Sequence, residues 1–213
     1  MKKAFTLIEM LVVIGIIVIL TGVSISGFSR MRARAEKTKA QELVSQTATA
    51  LSAIFTADGV WPQVIREHSE GDGLIDNKVA YQIAKRGMMS ITYDSGRKES
   101  TGLDRCGIVS PWATEALKKA DRGATDSLAV GTDKSGRKHT VRDHTLRFKV
   151  DLDGDGIIEN VAVSGAGGDA IDVRATAAVW CAGKDGKLES YRDGLRSDDV
   201  YSWTQGQTRG IKK

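Results

Sequence analysis

The chain opens with a basic tetrapeptide, Met1-Lys2-Lys3-Ala4, and turns at once into an apolar run from Phe5 to Leu20. One acid, Glu9, interrupts that run. A carboxylate in hydrocarbon costs on the order of 3 kcal/mol, so an acid held there usually has a partner. The run is long enough to begin a membrane helix, and the pattern predicts a helical segment over 5–28. Past the Gly22-Val23-Ser24-Ile25-Ser26-Gly27 stretch the pattern changes. Apolar or small residues recur at Ala40, Leu43, Val44, Thr47, Leu51, Ile54 and Phe55, a stripe along one helix face. This predicts an amphipathic continuation over 29–57. Asp58-Gly59 reads as its stop, with Pro62 close behind. A single helix from Phe5 to Ala57 spans about 80 Å at 1.5 Å per residue. Its weakest point is the Gly/Ser stretch, because Gly is poor in helix interiors.

Beyond Gly59 the helical period is weak, with one short helix expected over Val79–Ala84. Two runs alternate in period two, His144–Val150 and Ile157–Val163, joined by Asp151-Leu152-Asp153-Gly154-Asp155-Gly156. They read as a hairpin. Ala175–Cys181 predicts a further strand, Ser90–Tyr93 a short one, and Glu115–Ala120 a helical turn. The expected fold class is α+β: a long N-terminal helix packed on a small antiparallel sheet. The expected parts are a leader at 1–4, the two helical segments, and one globular domain over 58–213.

Composition adds modest constraints. The chain has 213 residues, an apolar fraction of 41% and 23 glycines, which suits a small core with many turns. The net charge is +4, and bases cluster at Arg30, Arg32, Arg34, Lys37 and Lys39. Such a cluster suits anionic lipid or nucleic acid, or simply a solvated helix face, which is the preferred reading. No interleaved aromatic platform argues for nucleic acid. These bases outnumber Lys2 and Lys3, so charge alone argues against a cytoplasmic N-terminus.

Cys106 and Cys181 read either as a disulfide closing a long loop, worth about 3–5 kcal/mol, or as two small buried hydrophobes. Asp151, Asp153 and Asp155 with Gly156 match the start of a calcium loop. The bidentate Glu that would close such a loop is replaced by Ala162, so the competing reading is an Asp/Gly turn. Enzyme signals are poor, and none is expected. His68, His139 and His144 lack partners at zinc spacing, and there is no nucleophile elbow or phosphate loop.

The order of parts is distinctive. A secretory signal carries its small-residue cleavage site after the apolar region. Here the small residue, Ala4, comes before it. Lys2-Lys3-Ala4 followed by Phe5-Thr6-Leu7-Ile8-Glu9 resembles the leader of type IV pilins and of the pseudopilins of type II secretion, with Ala4 where that family usually has Gly. The resemblance implies cleavage before Phe5 by a prepilin peptidase, methylation of the new amino group, and a cytoplasmic N-terminus. That implication is given precedence over the charge count. It also implies a salt bridge between Glu9 and the Phe5 amine of a neighbouring subunit.

Trp180–Lys187 and Ser197–Trp203 resemble the C-terminal end of the major pseudopilin. This implies calcium held by Asp185 and Asp199, with Asp198 beside them and backbone carbonyls near Ala182 and Lys184. Asp151, Asp153 and Asp155 are the second metal candidate. Asp58-Gly59-Val60-Trp61-Pro62 and Ser110-Pro111-Trp112 echo the middle of that family. The implied partners are copies of itself and other pilins or pseudopilins, the prepilin peptidase, an inner-membrane assembly platform and the membrane. The implied place is the bacterial inner membrane, single-pass, with the C-terminal domain periplasmic or in a filament. A type IV pilus subunit is the nearest alternative. A membrane-tethered module for DNA, lipid or a surface is the alternative of another class.

Overall fold

The computed structural model describes residues 7–86, 108, 110–112, 129–132, 138–163, 170–188, 198–204 and 207–212. Helix α1 runs Leu7–Asp58, and the helical assignment carries through the Gly22–Gly27 stretch, the expected weak point. The chain divides into two compact units, Met1–Thr38 and Lys39–Lys213. In the first unit every described side chain from Leu7 to Ile19 is exposed.

In the second unit the predicted stripe is the buried face. Ala40, Val44, Leu51 and Ile54 are fully buried, at steps of four, seven and three residues that keep them on one helix side. Thr47 also lies there, and its hydroxyl donates to the Leu43 carbonyl (2.7 Å), satisfying the one polar atom on that face within its own helix. The helix ends at Asp58, as expected. Gly59 follows with φ +69°, a conformation that costs a Cβ-bearing residue.

Two short helices then follow. Helix α2 is Gln63–Glu70, opened by Pro62 and ended at Gly71. Its short, polar sequence hides its period, because it buries only Ile65 and Ser69. Helix α3 is Asn77–Lys85, which extends the expected Val79–Ala84. Asp76 caps it, accepting from the Lys78 (2.9 Å) and Val79 (3.0 Å) amides. The second Asp76 oxygen faces His68 Nε2 at 3.1 Å, tying α2 to the start of α3.

The strands among the described residues are β1 Ala129–Thr132, β2 Lys138–Thr140, β3 Arg147–Val150, β4 Ile158–Ala162, β5 Ala170–Val173, β6 Ala177–Cys181, β7 Val200–Tyr201 and β8 Thr208–Lys212. A one-turn helix, α4 (Val141–His144), precedes β3. All pairings are antiparallel, in the orders β1-β2, β3-β6-β7 and β4-β5-β8.

The α+β class therefore stands, with a correction to the strand pairing. β3 and β4 do not form a hairpin. Phe148 pairs with Val179 of β6, while Ile158 pairs with Val173 of β5. The segment from Asp151 to Gly156 passes the chain from one sheet to the other. Alternation alone cannot separate these cases, because a strand's period says which face is buried and not which strand lies beside it.

Strand β6 explains why two sheets are needed. All five of its residues are buried. Ala177, Val179 and Cys181 join the cluster that includes Val44, Leu51, Ile54 and Phe148. Ala178 and Trp180 join a second cluster with Ile158, Val161, Ile171, Val173 and Trp203. One sheet thus packs on the amphipathic half of α1, and the other covers its outer side. The expected strand at Ser90–Tyr93 and helical turn at Glu115–Ala120 lie outside the described residues.

Candidate functional site

Three places bear on function. The first is the N-terminal part of α1. Glu9 sits in its first turn and is exposed. The apolar residues around it are exposed on every side, from 83% for Leu7 down to 47% for Met10 and Val13. A surface apolar all round has no single partner face and needs an apolar surrounding. Among the described residues no helix is long and apolar enough to cross a membrane. The side chains described there as exposed, 7–19, cover about 20 Å of that helix. The expected span of 5–28 runs past it at both ends. Ala4 and Phe5, the expected processing pair, lie outside the described residues.

The second place is the acidic turn after β3. Asp151 is buried, and its carboxylate accepts from the Gly154 and Gly156 amides, both at 2.8 Å. Both glycines have φ near +80° and open space where a Cβ would stand, so backbone conformation selects them. Asp155 accepts from the Ile157 amide at 2.7 Å, and Asp153 is exposed. One ligand oxygen from each of Asp151, Asp153 and Asp155 lies within 4.8 Å of the others. Calcium sits about 2.4 Å from its oxygens, so ligands of one ion lie up to about 4.8 Å apart, and the donor set fits a hard cation.

The third place is the C-terminal loop. Asp199 is 6% exposed and accepts from the Gly183 amide (2.9 Å) and the Tyr201 hydroxyl (3.3 Å). Asp198 accepts from the Lys184 amide at 2.6 Å, and Asp185 from the Lys187 amide at 2.9 Å. A Cβ on Gly183 would stand 2.0 Å from Asp198 Cγ, so the side chain of Asp198 needs a glycine there. Each of the three carboxylates thus caps a backbone amide of its own loop. Among the described residues the compact acidic group is Asp151, Asp153 and Asp155, the candidate that sequence reasoning placed second.

Cys181 lies at the end of β6, fully buried, and is a free thiol among the described residues. Burial pushes it up to about 12, with smaller contributions from the Asp199 and Asp198 charges. Cys106, its expected partner, lies outside the described residues. Lys149 of β3 donates to the Glu159 (2.6 Å) and Asn160 (3.3 Å) carbonyls of β4, clamping one sheet to the other. Burial lowers its ammonium below the usual lysine range, opposed by the Glu159 and Asp172 charges. This clamp was not foreseen. Its only sequence signal is a lysine within an alternating strand, which ordinarily reads as solvent-facing.

The prokaryotic N-terminal methylation motif matches residues 1–25. No solved structure matches the chain.

Proposed function

We propose that the chain is a type IV pilin-like subunit of the kind processed by prepilin peptidase, and that it builds the pseudopilus of a type II secretion system; the N-terminal methylation motif over 1–25 supports this. The single observation that carries the reading is the methylation motif at the head of a helix whose apolar surface is exposed on all sides. Such a helix is stable in lipid or in a bundle of its own kind, and poorly so in water. In this reading Ala4–Phe5 is the cleavage site. The subunit stands in the inner membrane with a cytoplasmic N-terminus until it is drawn into the filament. Glu9 then pairs with the methylated Phe5 amine of a neighbour, since methylation keeps the positive charge. Other pilins or pseudopilins and an assembly platform are its partners.

The globular unit supports the same role: a small antiparallel domain, with two three-stranded sheets and a two-stranded one among the described residues, built on the Lys39–Asp58 part of the helix and suited to decorate a filament. The choice of secretion over pilus formation rests on the resemblance of Trp180–Lys187 and Ser197–Trp203 to the major pseudopilin. Calcium binding belongs to the proposal too, with Asp151, Asp153 and Asp155 as the donor set that best fits the ion. Deleting the gene and assaying secreted proteins and surface pili tests the reading. Loss of secretion with pili intact is expected. Loss of pili with secretion intact would assign the subunit to a type IV pilus instead.

A further inference from the structure

We infer that the basic segment of α1, through Arg32, Arg34 and Lys37, binds the anionic headgroups of the bilayer that holds the unassembled subunit. The inference rests on the proposed membrane-inserted state and adds a lipid class to it.

Charge is distributed unevenly along the chain. Met1–Thr38 carries six bases against two acids, so the whole formal charge of +4 resides in that unit and the rest of the chain is balanced. Residues 31–35 and 37–39 are all exposed. The local acid, Glu36, meets Arg32 at 3.0 Å, with the arginine side chain 61% exposed. An exposed i,i+4 pair of this kind holds little energy and leaves the arginine able to exchange partners.

Helix register places these bases. If Leu7 marks one edge of the hydrocarbon, about 30 Å of core consumes about twenty residues, ending near Gly27. Arg32 to Lys37 then stand about 8 to 15 Å beyond that edge, and helical side chains lean back toward the N-terminus. Long basic side chains reach back in this way to place their charge at headgroup level. The arrangement around the axis matters as well. Arg32 and Arg34 project about 200° apart, on opposite sides of the helix. A single protein partner would meet one side, whereas a headgroup layer meets both. A solvated helix face, the plainer reading, explains the exposure but not the concentration of charge at this depth.

The test uses the full-length chain reconstituted into phosphatidylcholine vesicles with and without phosphatidylglycerol. Flotation reports insertion, and contact with spin-labelled phosphatidylglycerol or phosphatidylcholine reports lipid preference. The expected result is insertion in both vesicles and a preference of about fivefold or more for phosphatidylglycerol, the gain that one base gives at an anionic surface. Arg32→Gln/Arg34→Gln/Lys37→Gln should insert as before and lose the preference. Equal contact with both lipids, or a preference that survives in the triple variant, overturns the inference. So does a triple variant that keeps the wild-type preference for phosphatidylglycerol but fails to cross-link to neighbouring subunits, which would make the bases a protein contact. Failure to float with neutral vesicles is a different result and rejects the membrane-inserted state itself.

Discussion

The indole N–H of Trp61 donates to the backbone carbonyl of Asp151, a residue ninety positions along the chain. Trp61 also stacks on Phe55, with ring centroids 4.9 Å apart. One side chain thus fastens the end of the long helix to the first residue of the acidic turn. Both groups are buried, so neither has water as a substitute partner.

Trp61→Phe keeps a ring for the stack and removes the donor. The Asp151 carbonyl is left buried without it, so the domain should lose about 1–3 kcal/mol. Urea unfolding of the full chain in detergent reports this. A loss under about 0.5 kcal/mol would show that the bond contributes little.

Calcium should raise the stability of the domain, by about 2.7 kcal/mol at a hundredfold excess over its dissociation constant. Asp153→Ala should abolish the shift, because Asp153 is exposed and serves the ion in this account without holding the turn. Asp199→Ala should instead destabilise the domain with or without calcium, by about 1–3 kcal/mol, because it strips the Gly183 amide of its acceptor. Thermal melts with calcium and with chelator separate the two. A shift that survives in Asp153→Ala and vanishes in Asp199→Ala would move the ion to the C-terminal loop.

Cys181 should resist alkylation at pH 8 in the folded protein and react fully once unfolded, measured in a Cys106→Ser background by mass. Only the thiolate reacts, and burial holds this thiol protonated up to about 12. The same displacement sets a pH dependence. Unfolded, a cysteine ionises at about 8.5. The stabilisation is therefore whole below that pH and is lost as pH rises toward 12, since the unfolded chain then binds fewer protons. Cys181→Ala should flatten this part of the alkaline stability curve. Ready alkylation of the native protein at pH 8 would contradict the burial.

Much of this was legible from residue types. The stripe from Ala40 to Phe55 has one dominant period, and it became the buried face of α1. Asp58-Gly59 ended the helix where the stop signal stood. Helix α2 was not legible, because its eight residues bury only Ile65 and Ser69. The pairing of β3 with β6 was not legible either. The Asp/Gly turn between β3 and β4 looks like a hairpin loop, and what separates them is a second layer set by the two-sided burial of Ala177–Cys181. At the N-terminus, order and spacing pointed to Ala4, Phe5 and Glu9, which lie within the stretch 1–25 that the methylation motif matches; their individual roles belong to the proposal. The spacing of Asp151, Asp153 and Asp155 was legible as the start of a calcium loop, but not that these acids, rather than Asp185, Asp198 and Asp199, form the compact group. Which carboxylates converge depends on the chain path, and it brought Asp151, Asp153 and Asp155 together.

Glu9→Val should leave a folded, membrane-inserted protein that fails to enter filaments. Glu9 lies in the first turn of α1, in a different compact unit from the domain core, so folding should not need it. Cysteine cross-linking between subunits measures assembly, and circular dichroism checks the fold. Normal assembly of the variant would remove Glu9 from the mechanism.

The most direct test of the pilin-like account is the mass of the mature N-terminus, taken from protein purified out of its native membrane. The account predicts a chain that begins at N-methylated Phe5, with Met1–Ala4 removed. An intact Met1, or a cut beyond Ser24 that discards the apolar helix, would contradict it.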